Sequence, residues 1–368
     1  MLSRPRMAID TKWDEVNTKL RRSAVGVMVA VSVVSMAAPA EAAPGWRITA
    51  TPDRNAGLRG LAVTGPNSAW AAGYQSVNSE AVPVVRRWNG KTWQRMPLPA
   101  SVKGAYLHSV SATSNTNVWI SGSNGRRKQY WMRWNGKRWA VVTGELPEES
   151  WPHSPRLLAV GAGDVWSFGR AGAGPIGPDV RHYNGRRWRR VKAPGLIVRA
   201  DAVSGKDVWA TGWTPGERGP IPTVMRWNGT SWRKQAQPLG VRATGTVAGG
   251  VLALGSKNVW VAGADSTGRG LLLRWNGKTW SKRPAPIKGT LSELVDDGNG
   301  GLWMLAGRRL VHYKAGKWTT RAVPGRTGLQ TEIGVLARVP KTTSIWAVGA
   351  LVDKKSIDKS SVVLKYGK

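Results

Sequence analysis

Beyond about residue 45 the chain alternates short apolar runs with polar turns. Runs such as Gly60-Leu61-Ala62-Val63 and Leu157-Leu158-Ala159-Val160 have the length and bounds of strands, and none reads as a helix. Each leads through a turn, as at Gly205-Lys206-Asp207, into a second strand carrying Val-Trp. A third strand, for example Thr223-Val224-Met225-Arg226-Trp227, ends on an aromatic residue and meets Asn-Gly. Asn-Gly predicts a type I′ hairpin, which needs positive φ at both central residues. A fourth strand bears another Trp and stops near proline, which cannot donate to a ladder. The predicted unit is therefore four short antiparallel strands.

That unit recurs. Ser68-Ala69-Trp70, Asn117-Val118-Trp119, Asp164-Val165-Trp166, Asp207-Val208-Trp209, Asn258-Val259-Trp260, Gly301-Leu302-Trp303 and Ser344-Ile345-Trp346 mark seven copies, spaced 43 to 51 residues apart. Glycine stands three residues after the Trp in six of them, and in the sixth copy it shifts by one, to Gly307. The fullest second motif is Arg87-Trp88-Asn89-Gly90-Lys91-Thr92-Trp93, whose second Trp recurs as Trp139, Trp188, Trp232, Trp280 and Trp318. A period near 45 residues with four strands per copy is that of propeller blades. The last copy ends at Tyr366-Gly367-Lys368, where its hairpin would turn, and Gly45-Trp46-Arg47-Ile48-Thr49-Ala50 supplies a fourth strand with Trp46 in the slot of Trp93. The expectation is an all-β, seven-bladed β-propeller over residues 43–368, its ring closed by the N-terminal strand so that no sheet edge is left open.

The repeat resembles the VWAVG…HWNG-x-x-W repeat proteins exported by actinobacteria, and more distantly kelch and tectonin-type propellers. The resemblance covers about residues 45 to 368. It implies the fold and says little about function, because propellers host enzymes, lectins and scaffolds alike.

Residues 1–42 read as an export signal. A basic stretch ending Lys19-Leu20-Arg21-Arg22 precedes an apolar run from Ser23 to about Ala38, and Ala40-Glu41-Ala42 fits a cleavage site before Ala43. The alternative is an uncleaved anchor, although the run is short for a membrane span. A secreted or envelope-associated bacterial protein, monomeric and without a transmembrane span in its mature chain, is the expectation.

Charge changes the picture further. The formal net charge is +34, and beyond residue 42 the chain holds 49 basic against 17 acidic residues. Such a balance points to polyanionic partners, with nucleic acid bound only non-specifically. With no cysteine there is neither a disulfide framework nor a thiolate metal site.

Of the 22 Trp, fourteen fill the two repeat slots and Trp88, Trp134, Trp227 and Trp275 precede Asn-Gly; packing explains these, and Trp131 too. Trp213 and Trp151 fall in apparent loops, the first between second and third strands and the second between blades. Both connections open on one face of a propeller, so Trp151, Trp213, His153, Glu149 and Arg218 form the candidate ligand site. An exposed indole there stacks on a sugar or a base, unless it merely packs on its own loop. Arg186, Arg187, Arg189, Arg190 and Lys192 form a candidate polyanion-contacting rim.

The cation before each aromatic (Arg87, Arg133, His182, Arg226, Arg274, His312, Lys365) is expected to pack on a Trp or pair with a turn acid rather than line a channel. No catalytic constellation, metal site or cofactor motif is recognisable. Asp296-Asp297-Gly298-Asn299-Gly300 lacks the later bidentate Glu of a calcium loop. The sequence thus predicts a non-enzymatic scaffold for an anionic polysaccharide, wall polymer or protein surface. A lectin and, further off, a propeller hydrolase or lyase are the alternatives.

Overall fold

A computed structural model describes residues 45–124, 128–145, 155–171, 177–217, 219–236, 248–353, 355 and 359–367. All lie within the compact unit Pro44–Lys368. They form seven four-stranded antiparallel sheets with a single 3-10 turn at Ala100–Val102. The fold is a seven-bladed β-propeller. Among the described residues no helix is long and apolar enough to cross a membrane.

The innermost strands of blades 1 to 7 are Ala56–Gly65, Tyr106–Ser114, Arg156–Gly161, Leu196–Ser204, Ala248–Gly255, Leu291–Asp296 and Leu329–Arg338. Each packs against its neighbour in the next blade, and that of blade 7 packs against that of blade 1. Blade 7 is completed by Trp46–Ala50, which pairs with Lys359–Tyr366 in the register Trp46↔Tyr366 and Ile48↔Leu364. Arg47 adds a hydrogen bond to the carbonyl of Gly367. The crossing from blade 7 to blade 1 is pinned at Asp53, whose amide donates to Ser361 Oγ at 3.0 Å and whose carboxylate pairs with Arg86.

The Trp repeat is the joint between blades. Each second-strand indole meets the aromatic residues of the following blade. Trp70 meets Trp134 at 5.9 Å and Trp139 edge-on at 6.0 Å. Trp166 meets Trp227 and Trp232, and Trp346 meets Trp88 and Trp93. Trp303 meets Tyr366 at 4.9 Å and Trp46 edge-on at 5.5 Å, so the borrowed strand makes the same joint as the internal ones. Such contacts add to the apolar area each ring buries.

The cation slot also serves packing. Arg87, Arg133, Arg226, Arg274 and Lys365 lie 4.8–5.6 Å from the ring of the Trp in the same blade. His182 and His312 stack on Trp166 and Trp303 at 4.2 and 4.5 Å. Asp164, Asp207 and Asp297 hold His182, Arg226 and His312 at 2.7, 2.7 and 2.9 Å.

The Asn-Gly turns differ from expectation. Trp88 pairs with Trp93 across the four residues Asn89 to Thr92, and only Gly90 has positive φ. Asn89 instead accepts the amides of Lys91 and Thr92 on its side-chain oxygen, a pattern repeated at Asn135, Asn184, Asn228 and Asn276. The amide side chain satisfies the turn from outside, so the asparagine backbone need not enter the left-handed region. The two-residue form with both φ positive occurs at Ala315-Gly316 of blade 6, where Lys314 pairs with Lys317.

Candidate functional site

Of the loop-face candidates, Trp151, His153, Glu149 and Arg218 lie outside the described residues. Trp213 is not in a loop. It is half-buried on the strand Asp207–Thr214, paired with Leu196 and Pro222. That strand runs on past the repeat glycine, as Ser68–Val77, Asp164–Ala171 and Ile345–Asp353 also do, so the ladder pairs the residues that follow the glycine on both sides. Here the buried Thr214 and Thr223 add a 2.9 Å hydrogen bond. Trp213 takes the position just after the repeat glycine, which in blade 1 belongs to Tyr74.

The rim residues Arg186, Arg187, Arg189, Arg190 and Lys192 are all exposed, on the outer hairpin of blade 3 and just beyond it. Arg190 lies 3.3 Å from Asp179, a buried carboxylate shared with Arg181. The other four make no ion pair among the described residues.

The loop face does hold a cavity, in the central channel. It has a volume of about 850 Å³ and lies against the innermost strands of blades 7, 1, 2 and 3. Arg59, Tyr74, Tyr106, His108, Arg156 and Glu332 line it, with Asn78 and Ser79 at the connection between second and third strands. A smaller void of about 110 Å³ shares Arg59 and Arg156 with it and adds Arg199.

The register explains how the arginines arrive there. Gly60, Ser109, Arg156, Arg199 and Gly250 occupy one position on successive innermost strands, each opposite the residue two after the repeat Trp. Four of these five strands carry an irregularity just before that position, placing Arg59 and His108 in the bulges of blades 1 and 2. Bulges re-aim side chains at sheet edges. Across the channel, Glu293 sits in a bulge of blade 6 with φ 52°, a left-handed conformation uncommon for a residue with a side chain.

Glu293 accepts from Arg199 Nε and Nη2 at 3.1 and 2.5 Å. Arg156 Nη2 stands 3.9 Å from the same carboxylate oxygen. Arg59 donates to the Tyr74 hydroxyl at 3.2 Å and lies 5.5 Å from its ring, and Tyr74 meets Tyr106 edge-on at 4.8 Å. Arg199 and Arg156 thus face the Glu293 carboxylate, and a third guanidinium, Arg59, shares the smaller void with them.

The local field follows from that imbalance. Arg156 keeps 37% of its side-chain surface, yet that surface faces the channel rather than open solvent. Burial and then the charge of Arg199 lower its pKa to about 10, with Glu293 acting in the opposite sense. Burial, then Arg59 and Arg156, lower the His108 pKa to about 4, so this imidazole is neutral near pH 7. Its Nε2 lies 3.2 Å from Ser123 Oγ. A group of that basicity, ringed by guanidiniums, is a poor general base at neutral pH. Among the described residues no three His, Asp or Glu side chains gather as a metal site would require. What the arrangement does well is attract an anion.

Arg59, His108, Arg156, Arg199 and Glu293 did not emerge as a site from the sequence. Their one local signal is a charge or imidazole inside an apolar innermost strand, as in Leu58-Arg59-Gly60-Leu61 and Ile197-Val198-Arg199-Ala200.

No family model and no curated protein matches the chain. Solved structures do. One of YCF48 bound to a D1 peptide is 15% identical, with a TM-score of 0.60 over 88% of this chain and 97% of that one. YCF48 from Cyanidioschyzon merolae is 14% identical, with a TM-score of 0.56 over 87% and 98%. The WD40 propeller domain of Doa1 is 10% identical, with a TM-score of 0.58 over 88% and 97%. At these identities the likeness establishes the fold.

Proposed function

We propose that this protein is an exported, non-enzymatic binding propeller of the actinobacterial repeat type, holding an anionic polymer of the cell envelope or its surroundings. The observation that carries this reading is the unpaired cationic surface. Arg186, Arg187, Arg189 and Lys192 stand exposed without an acidic partner among the described residues, in a chain whose basic residues outnumber its acidic ones by 55 to 21. Lysines and arginines on outer strands also deter edge-to-edge aggregation, but that purpose does not call for such an excess. The signal-like residues 1–42 support export.

A peptide ligand is the second reading, favoured by the similarity in fold to YCF48 bound to a D1 peptide. A lectin with a site in each blade finds less support, since the loops that join second and third strands differ from blade to blade, as Ala264-Asp265-Ser266-Thr267-Gly268 and Val77-Asn78-Ser79-Glu80 illustrate.

Retention on immobilised heparin or wall polymer tests the leading reading. Counterion release predicts that retention falls steeply with salt, and that Arg186→Ser/Arg187→Ser/Arg189→Ser elutes earlier and with a shallower salt dependence. Retention indifferent to salt sinks the proposal.

A further inference from the structure

We infer that the channel is a separate binding site for a single oxyanion, a carboxylate or phosphate group, which enters from the cavity beside Tyr74 and is held by Arg59 and Arg156, next to the Arg199–Glu293 pair. This inference rests on surfaces other than the rim and stands or falls independently of polymer binding.

Three observations carry it. First, the guanidiniums are not neutralised from within. Glu293 engages Arg199 through two hydrogen bonds but stands beyond hydrogen-bonding distance of Arg156, and among the described residues the exposed Arg59 is partnered by the hydroxyl and ring of Tyr74. An arginine fork in a confined space with low-dielectric walls binds planar or tetrahedral oxyanions far better than one in open solvent. Second, the void that Arg59, Arg156 and Arg199 share is about 110 Å³, room for three or four waters at roughly 30 Å³ each. That space accepts one carboxylate or phosphate and excludes the middle of a polymer chain. The outer cavity of about 850 Å³ has room for whatever carries the group. Third, Glu293 is held in a left-handed conformation inside a bulge, where it faces arginines of blades 3 and 4. Backbone strain of this kind collects at functional sites. The carboxylate acts as a resident counter-anion, satisfying Arg199 and leaving Arg156 and Arg59 to a ligand.

The other charges nearby do not reverse the balance, and Lys359, which also lines the outer cavity, adds to it. His108 is neutral at pH 7, as its lowered pKa requires. Glu332 at the mouth stands 4.0 Å from Arg308, with both side chains exposed. Asp296 is taken by Arg338 at 2.6 Å.

Calorimetric titration of the purified protein with inorganic phosphate, and separately with acetate, tests the site. Saturable phosphate binding is expected, at least about tenfold weaker in Arg156→Met. It should be unchanged in Arg186→Ser/Arg187→Ser/Arg189→Ser. Glu293→Gln removes the competing anion and should bind phosphate more tightly, a direction that a purely structural ion pair does not predict. Melting curves without ligand establish that each variant is folded, and should Arg156→Met fail to fold, Arg59→Met replaces it. A short sugar ending in a phosphomonoester should compete for the site, and its methyl-capped diester should not. Competition by free phosphate but not by the sugar assigns the site to small anions. Absence of saturable binding to the folded protein, weaker binding by Glu293→Gln, or loss confined to the rim variant overturns the inference. If phosphate fails to bind while heparin retention persists, only the channel site falls; the reverse outcome removes only the polymer reading.

Discussion

At Gly212 a β-carbon would stand 1.8 Å from the carbonyl oxygen of Leu196, and at Gly349 the same distance from that of Glu332. In blades 4 and 7, and at Gly73 of blade 1, the glycine three residues after the repeat Trp is therefore a steric demand of the innermost strand crossing beside it, whereas at Gly169 of blade 3 the nearest atom would stand 3.7 Å away. Gly212→Ala should separate the two strands and cost at least about 1–3 kcal/mol, the range for an overfilled interior. Urea denaturation measures it, and an unchanged midpoint would show that the strand pair yields freely. The repeat displays the glycine, but its cause lies in the register Ile197↔Gly212, which the local pattern does not contain. Asn89 teaches the opposite lesson. Its turn was legible in the sequence, while its conformation follows from the hydrogen bonds its side chain makes to Lys91 and Thr92.

Strand to strand, the innermost layer is tied by side chains that accept amides of the next blade. Ser109 and Ser111 accept from Leu157 and Ala159 at 3.0 and 2.8 Å, and Asp201 accepts from Ala253 at 2.8 Å. Asp201 retains some accessible surface but is enclosed by protein. Burial raises its pKa to about 6, against the pull of the Ala253 and Ala202 amides and with help from Asp296. The folded state therefore binds a proton here that the unfolded chain releases between pH 6 and about 4. This group's contribution to stability is complete below about pH 4 and is lost as pH rises through 6. Wild-type protein should resist urea better at pH 5 than at pH 7, and Asp201→Asn should flatten that difference. An unaltered pH profile in the variant would remove Asp201 as its source. Asp297 acts elsewhere on the scale. Burial raises its pKa, but hydrogen bonds from Gly301, His312 and Asn299 outweigh that and hold it below the ordinary value, so its contribution fails only at more acidic pH.

Over the whole molecule, seven equivalent joints make one ring, and the joint at Trp46 is formed by segments more than 300 residues apart, Trp46 pairing with Tyr366. Trp46→Ala removes the edge contact with Trp303 and should cost about 3–5 kcal/mol, as for other large packed aromatic residues. Trp139→Ala, at the corresponding internal joint with Trp70, should cost a similar amount. If the ring unfolds as one unit, both variants melt in a single shifted transition with coincident circular dichroism and Trp fluorescence. An early separate transition in the Trp46 variant would show that blade 7 opens alone. The rim charges belong to this scale as well, because salt-dependent attraction depends on the field of the whole surface rather than on one contact.

Blade number, strands per blade and closure by Trp46 were written in the sequence, because six repeats carry their own turn residues and both Trp slots, and the seventh lacks only the strand that Trp46–Ala50 supplies. Local chemistry repeated seven times needs no knowledge of what lies across the ring. The channel cluster was not legible that way. Arg199 and Glu293 are 94 residues apart and belong to different blades, and neither sits in a motif. Only the bulges and the circular arrangement turn them toward one another, so tertiary structure alone decided where the unneutralised charge collects. Trp213 shows the same limit, since pairing with Leu196 on one side and Pro222 on the other, residues of two other strands, takes it out of the loop.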